Sequence, residues 1–245
     1  MVISFFRPSE SETTFYMRFF DFIIAFIGIM ILSPWFVIIV IMVKLGSPGT
    51  IIYSQERVGL NGRRFRLYKF RSMIVNADKV GTSVTTGNDT RITKIGRFLR
   101  KIKLDELPQL WNVLKGDMSF VGPRPDVPEI VNKYSPEMRR ILNVRPGITS
   151  NATLYLRNEE DLLSFAKDHD KAYEEIFVPA KVKLAMEHVN RRSFFFDFFV
   201  LLQTVWALTG GRILPGKEHP IINGIKQSIE KMNGITENLL IKNEK

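Results

Sequence analysis

From Phe22 to Val43 the chain carries 22 residues without a charge, interrupted only by Gly28, Ser33 and Pro34 among large apolar side chains. As one helix this run would be about 33 Å long, enough to cross the hydrocarbon core of a bilayer. An ionised residue at its centre would cost roughly 2.5 to 3.5 kcal/mol, and none is there. A cleaved signal peptide fits poorly. Its apolar part should be about 7 to 15 residues followed by small residues, whereas this run ends in Lys44-Leu45-Gly46. The segment is therefore expected to remain as a membrane element. Ser33-Pro34 lies at its middle, where a proline removes a helical hydrogen bond and crowds the preceding turn. A kink is expected there, leaving two topologies in competition: a kinked spanning helix, which composition alone favours, and a re-entrant one.

The rest of the chain is ordinary in size and unusual in charge. It has 245 residues, no cysteine and a formal charge of +10. Disulfide scaffolds and cysteine-ligated metal centres are thus excluded. Between Arg57 and Lys103 there are 13 Lys and Arg against two acids, so this stretch carries +11 and the remainder −1. Placed directly after the apolar run, these charges put the following domain on the cytoplasmic side and imply an anionic partner. Nucleic acid fits less well than lipid headgroups or nucleotide phosphates, because no zinc finger or helix-turn-helix is present and the aromatics alternate as core.

Local patterns supply the elements. Thr50 to Gln55 reads as a strand, and Asn61-Gly62 offers two positive-φ positions for a tight hairpin before Arg63 to Arg71. Alternation puts Lys69 and Arg71 on one face of that second strand. Ile92, Ile95, Leu99 and Ile102 recur at helical spacing and leave Arg100 near the buried edge. In the next helix Asp105 reads as an N-cap, Pro108 is tolerated in the first turn and Gly116 terminates. Asp105 and Glu106 then have two readings: a cap with a first-turn acid, or a carboxylate pair working beside a cationic surface. In Gly122-Pro123-Arg124-Pro125, prolines on both sides stiffen the backbone that carries Arg124. A guanidinium held this way can grip phosphate oxygens in a bidentate fork; the alternative is a plain surface turn.

Tyr68-Lys69-Phe70-Arg71-Ser72-Met73, the long block from Leu104 to Pro125, and Val144-Arg145-Pro146-Gly147-Ile148-Thr149 resemble the bacterial sugar transferases, monotopic phosphoglycosyl transferases acting on polyprenyl phosphate. The similarity runs from about Arg18 to Gly210 and weakens after Thr149. It implies a membrane-embedded small domain joined to a cytoplasmic-face domain, and a magnesium requirement. It also implies that Asp105 attacks the β-phosphate of a nucleotide diphosphate sugar, with Glu106 as its partner, both of them candidates for the metal. Lys69, Arg71, Arg100 and Arg124 are candidate phosphate ligands, and Ser33 and Pro34 the helix break, which turns the topology expectation toward re-entrant. The chemistry agrees: a carboxylate is a weak nucleophile and a diphosphate repels it, so cations must neutralise the transferring group and the leaving nucleotide.

Further on, residues 135–190 read as helices broken at Pro146 and Pro179, entered through Ser135-Pro136-Glu137. Residues 193–208 read as an interfacial helix too short to span, with a buried core helix as the alternative. His169, His188 and His219 lack metal-ligand spacing and read as surface residues. No dinucleotide fingerprint or P-loop occurs.

The expected fold class is α/β: a re-entrant membrane helix over 1–45, a mostly helical catalytic domain with a small β-hairpin over 46–210, and a polar tail over 211–245. The expected function is transfer of a sugar 1-phosphate from a UDP-sugar to undecaprenyl phosphate with release of UMP, on the cytoplasmic face of a bacterial inner membrane. Downstream glycosyltransferases would use the product, nucleic acid is not an expected partner, and a homo-oligomer is left open. The competing reading is a non-catalytic, membrane-tethered protein whose basic face binds anionic lipid or nucleic acid.

Overall fold

The computed structural model describes residues 10–77, 80, 85, 89–211 and 219–243. Helix α1 runs from Glu10 to Gly46, about 55 Å at the standard rise, and continues helical through Pro34. The helix is not interrupted at the expected break. Pro34 has no N–H to offer the carbonyl four residues back, and the Ser33 hydroxyl donates to that carbonyl, Met30 O, at 2.8 Å. Serine before proline thus satisfies the acceptor that proline orphans.

One stripe of α1 faces protein: Met17, Asp21, Ala25, Gly28, Leu32, Phe36, Ile39 and Val43, all buried or half-buried and spaced by three or four residues. Ala25 packs with Leu67, Val113 and Met118, and Ile39 and Val43 pack with Phe70 and Leu99. The other faces expose Phe15, Phe19, Phe22, Phe26, Met30, Ile31, Trp35, Ile41 and Leu45. So many large apolar groups in one contiguous surface is not the exterior of a water-soluble domain.

β1 (Ile52–Val58) and β2 (Arg64–Phe70) pair antiparallel, with Tyr53 opposite Lys69. The hairpin loop takes Asn61 and Gly62 through positive φ as expected, but it is five residues long, and β1 runs on three residues past the expected Gln55. α2 (Lys94–Lys101) is capped by Thr93, whose hydroxyl accepts from the Gly96 N–H at 2.9 Å. α3 spans Gln109–Lys115. A second strand pair, unforeseen from sequence, joins β3 (Ser119–Val121) to β4 (Gly147–Thr149) in parallel, with α4 (Pro128–Asn132) in the crossover. The fold is accordingly mostly helical with a small hairpin, as expected, and carries a second two-stranded sheet besides.

α5 (Asn151–Tyr155), α6 (Glu159–Leu163), α7 (His169–Ala172) and α8 (Val178–Arg191) follow. Pro146 ends at a strand rather than inside a helix, and Pro179 lies at the start of α8 directly after a π-helical segment, Tyr173–Phe177, through which the helix runs on without a break. Ser135 does act as an entry signal, its hydroxyl accepting from the Met138 N–H at 3.2 Å.

α9 (Phe194–Leu208) buries Asp197, Val200 and Ala207 and exposes Phe199, Leu202, Val205, Trp206 and Phe195, the last 81% exposed. It abuts α1, the Phe20 ring meeting Phe194 and Phe198 edge-on at 5.3 and 6.2 Å. The apolar faces of α1 and α9 are therefore neighbours. Two expectations fail here. Much of the supposed tail is α10 (Pro220–Asn243), whose Ile222, Ile225 and Ile229 enter the core around Phe177 and Leu184; residues 212–218 and 244–245 lie outside the described residues. His188 is fully buried, not on the surface, with its Nε2 3.2 Å from Asp197.

Candidate active site

The site is built where α2 stops. Lys103 adopts a left-handed backbone (φ 59°), and the chain turns into one 3-10 turn, Leu104–Glu106. Leu104 and Leu107, three apart and so on one side of that tight turn, pack with Ile39, Phe70 and Leu99. Asp105 and Glu106 are carried between these two anchors. The expected N-cap is not found: α3 begins only at Gln109, after Pro108, and Asp105 makes no capping bond to it. Burial of the flanking leucines, rather than helix capping, sets the position of the pair.

Glu106 is gripped from two sides. Lys69 Nζ from β2 donates to Oε1 at 2.8 Å, and Arg124 Nη2 donates to the same oxygen at 2.6 Å, with Nη1 3.4 Å from Oε2. Burial alone would raise its pKa, but Arg124 and Lys69 outweigh burial and hold the Glu106 carboxyl well below the usual range. Asp105 has the opposite balance. It is 3% exposed, its Oδ1 has no hydrogen-bond partner among the described residues, and desolvation raises its pKa, with Glu106 adding to the rise while Lys69, Arg100 and Lys103 oppose it. Two neighbouring carboxylates are thus driven apart: one locked as an anion, the other buried and poorly solvated. Such a divergence of environment is the physical mark of different chemical roles.

The Pro-Arg-Pro loop is no plain surface turn. Gly122 N–H donates to Thr149 O and Gly147 N–H to Pro123 O, both at 2.9 Å, and Arg57 Nη1 donates to Pro125 O at 3.1 Å. A Cβ at Gly122 would lie 2.4 Å from Arg145 O, so only glycine permits this close seam. Arg124 therefore projects from a backbone fixed on both flanks.

Of the other expected cations, Arg100 is brought to the site's edge, where it pairs with Glu160 of α6. Arg71 is not brought in. Strand β2 ends at Phe70, so the alternation that places Arg71 beside Lys69 no longer applies, and its Nη2 donates to Ser47 O (2.6 Å), Ser47 Oγ (3.0 Å) and Val43 O (3.4 Å) at the end of α1. It serves α1 rather than the carboxylate pair. Among the described residues no group of three or more His, Asp or Glu side chains is gathered into a metal cage.

Two residues escaped the sequence reading. Asn112 is fully buried; its Oδ1 accepts from the Tyr68 N–H at 3.1 Å and its Nδ2 donates to Arg66 O at 2.7 Å, tying α3 to the free edge of β2 and fixing where Lys69 emerges. A lone amide within Leu110-Trp111-Asn112-Val113-Leu114 was the available signal. Gln109 is 1% exposed, and neither amide atom has a hydrogen-bond partner among the described residues. Asn112→Leu is expected to lower stability by about 2 kcal/mol or more, since two backbone groups lose their partner. Thermal unfolding checks this, and activity should fall with it because Lys69 loses its register.

The family description "bacterial sugar transferase" matches residues 12–211. The chain is 34% identical over 202 residues to a UDP-N-acetylgalactosamine-undecaprenyl-phosphate N-acetylgalactosaminephosphotransferase of Aeromonas hydrophila, covering 80% of this chain and 44% of that protein. It is 37% identical over 191 residues to a UDP-glucose:undecaprenyl-phosphate glucose-1-phosphate transferase of Escherichia coli, covering 76% and 38%. An exopolysaccharide production protein of Sinorhizobium fredii is 36% identical over 206 residues, 78% of this chain and 84% of that one. The chain thus spans less than half of the first two relatives and most of the third. A match extending from α1 to α9, and including the Asp105-Glu106 turn and the Arg124 loop, shows that this chain belongs to the bacterial sugar transferase family.

Proposed function

We propose that this protein moves a sugar 1-phosphate from a UDP-sugar to undecaprenyl phosphate, releasing UMP, and so begins assembly of a membrane-borne glycan that downstream glycosyltransferases extend. The observation carrying this reading is the split carboxylate pair: Asp105 buried with an unpartnered oxygen beside a Glu106 held anionic by Lys69 and Arg124. Asp105 attacks the β-phosphorus; a P–O bond forms as the bond to the UMP oxygen breaks, and UMP leaves with the electron pair. An oxygen of undecaprenyl phosphate then attacks the same phosphorus and releases the carboxylate. Lys69, Arg124 and Arg100 neutralise the diphosphate while this happens.

Magnesium fits the donor set. This ion is held by one or two carboxylates together with substrate phosphates and water, and the site offers two carboxylates, one with an orphaned buried oxygen. Asp105 and Glu106 would hold it, and it would neutralise charge on the diphosphate and departing UMP. A panel of UDP-sugars with undecaprenyl phosphate and magnesium, scored for UMP, tests the reading and identifies the sugar. Release of UDP instead would mean attack at the sugar carbon. No release with any UDP-sugar would favour a tethered binding protein.

The same reading seats the protein monotopically, with both ends of α1 on the cytoplasmic face of the inner membrane. Its support is that both halves of α1 fasten to one domain: Arg18 donates to the Val113 and Leu114 carbonyls and Asp21 accepts from the Phe120 N–H, while Ile39 and Val43 pack on β2 and α2. A spanning helix would carry one of these ends about 30 Å away, across the bilayer. Ile3→Cys and Leu240→Cys in this cysteine-free chain are both expected to resist an impermeant thiol reagent on intact cells. Labelling of the first alone would show a spanning helix.

A further inference from the structure

We infer that Glu160 is the free enzyme's own counter-anion on Arg100, standing where a substrate phosphate oxygen binds, and that it sets nucleotide affinity by competing for that cation. The inference rests on the reading that Arg100 receives the diphosphate. α6 opens with Glu159, Glu160 and Asp161. Glu159 is the anchor: Lys181 Nζ of α8 donates to it at 3.0 Å and to the Tyr173 hydroxyl at 3.1 Å, with both partners largely buried. The next residue, Glu160, reaches across 60 positions of sequence to Arg100 Nη2.

Each of the site's three cations then has a carboxylate partner without substrate. Lys69 and Arg124 are both paired with Glu106, and Arg100 with Glu160. An arriving anion has to displace one carboxylate, and burial decides which. Glu106 leaving would strand two largely buried cations, and its side chain is only 12% exposed. Glu160 is 43% exposed, and an ion pair this open to water is weak enough to exchange. Arg100 also influences the Asp105 carboxyl, so the cation that Glu160 occupies belongs electrically to the nucleophile's surroundings. Displacement hands Arg100 to the phosphate and leaves Glu160 in water.

The test is equilibrium binding of UDP with magnesium to the full-length protein in nanodiscs. Glu160→Gln keeps shape and removes the competitor, so affinity should rise about twofold to fivefold, the span of one half-exposed ion pair. Arg100→Ala should weaken binding, and adding Glu160→Gln to it should restore nothing. Asp161→Asn removes the same charge from an exposed neighbour on the same helix and should leave affinity unchanged. Equal or weaker binding by Glu160→Gln would overturn the inference and make Glu160 a residue that pre-orients Arg100. An equal gain in Asp161→Asn, or a gain that persists without Arg100, would reduce it to net charge. Wild-type protein that fails to bind UDP at all would instead sink the functional reading beneath it.

Discussion

Asp105→Asn is expected to abolish covalent labelling and to make the protein more heat-stable. Wild-type protein mixed with the UDP-sugar and magnesium, without lipid acceptor, should release about one UMP per site and gain the mass of a phosphosugar, because a covalent route runs its first half alone. The amide has no anionic oxygen, so turnover should fall by about 10⁴-fold or more, as when other enzymes lose their nucleophile. The stability gain follows from the sign of the Asp105 shift. Burial raises its folded pKa, so its contribution to stability is present below the unfolded value, near 3.9, and is lost as pH rises through the raised folded value. At neutral pH the ionised group opposes folding, and Asn removes that opposition. Equal or lower melting temperature in the variant would show that Asp105 is better solvated than its burial implies. By the same sign, the acid limb of UMP release should lie above that of an unperturbed aspartate.

Glu106→Gln is the opposite experiment at the neighbouring residue. It leaves Lys69 and Arg124 facing an amide where an anion stood, and breaking a buried pair in this way costs about 3 to 5 kcal/mol. For a domain of this size the melting temperature should fall by roughly 10 °C. Glu106 has a depressed folded pKa, so its contribution is present above the unfolded value, near 4.3, and is lost as pH falls through the folded one. The penalty of the variant should therefore be full at neutral pH and shrink in acid. A variant as stable as wild type at pH 7 would mean that the two cations are solvated and that the pair does not hold the site together. Two adjacent carboxylate-to-amide changes of equal size are thus expected to move stability in opposite directions.

Much of this site was legible in the sequence because its parts are local. Asp105 with Glu106, and Arg124 between prolines, each announce themselves within a few residues, and the apolar run announces the long, largely exposed helix α1. What the sequence withheld depends on packing between distant segments. The N-cap reading of Asp105 failed because Leu104 and Leu107 bury against α1 and β2, which no local rule contains. Arg71 was misplaced because a strand's period applies only as far as the strand lasts. Glu160 lies 60 positions from Arg100, and Asn112 reaches a strand 44 positions back. α10 looked like a tail because Ile222, Ile225 and Ile229 are sparse in a polar segment, yet they fall at helical spacing and find a core.

The stripe that fastens α1 to the domain along both halves of the helix has a consequence for kinetics. A flexible tether would let the catalytic face tumble above the bilayer and sample acceptor from a volume. On the monotopic seating proposed above, the seat and the site are one rigid piece, so the height of Asp105 over the headgroups would be fixed by the same packing that folds the domain. On the proposed function and seating, the acceptor's search is thereby reduced to two dimensions, and the quantity that would govern the second half-reaction is the number of undecaprenyl phosphates per unit area of membrane, not their concentration in the cell.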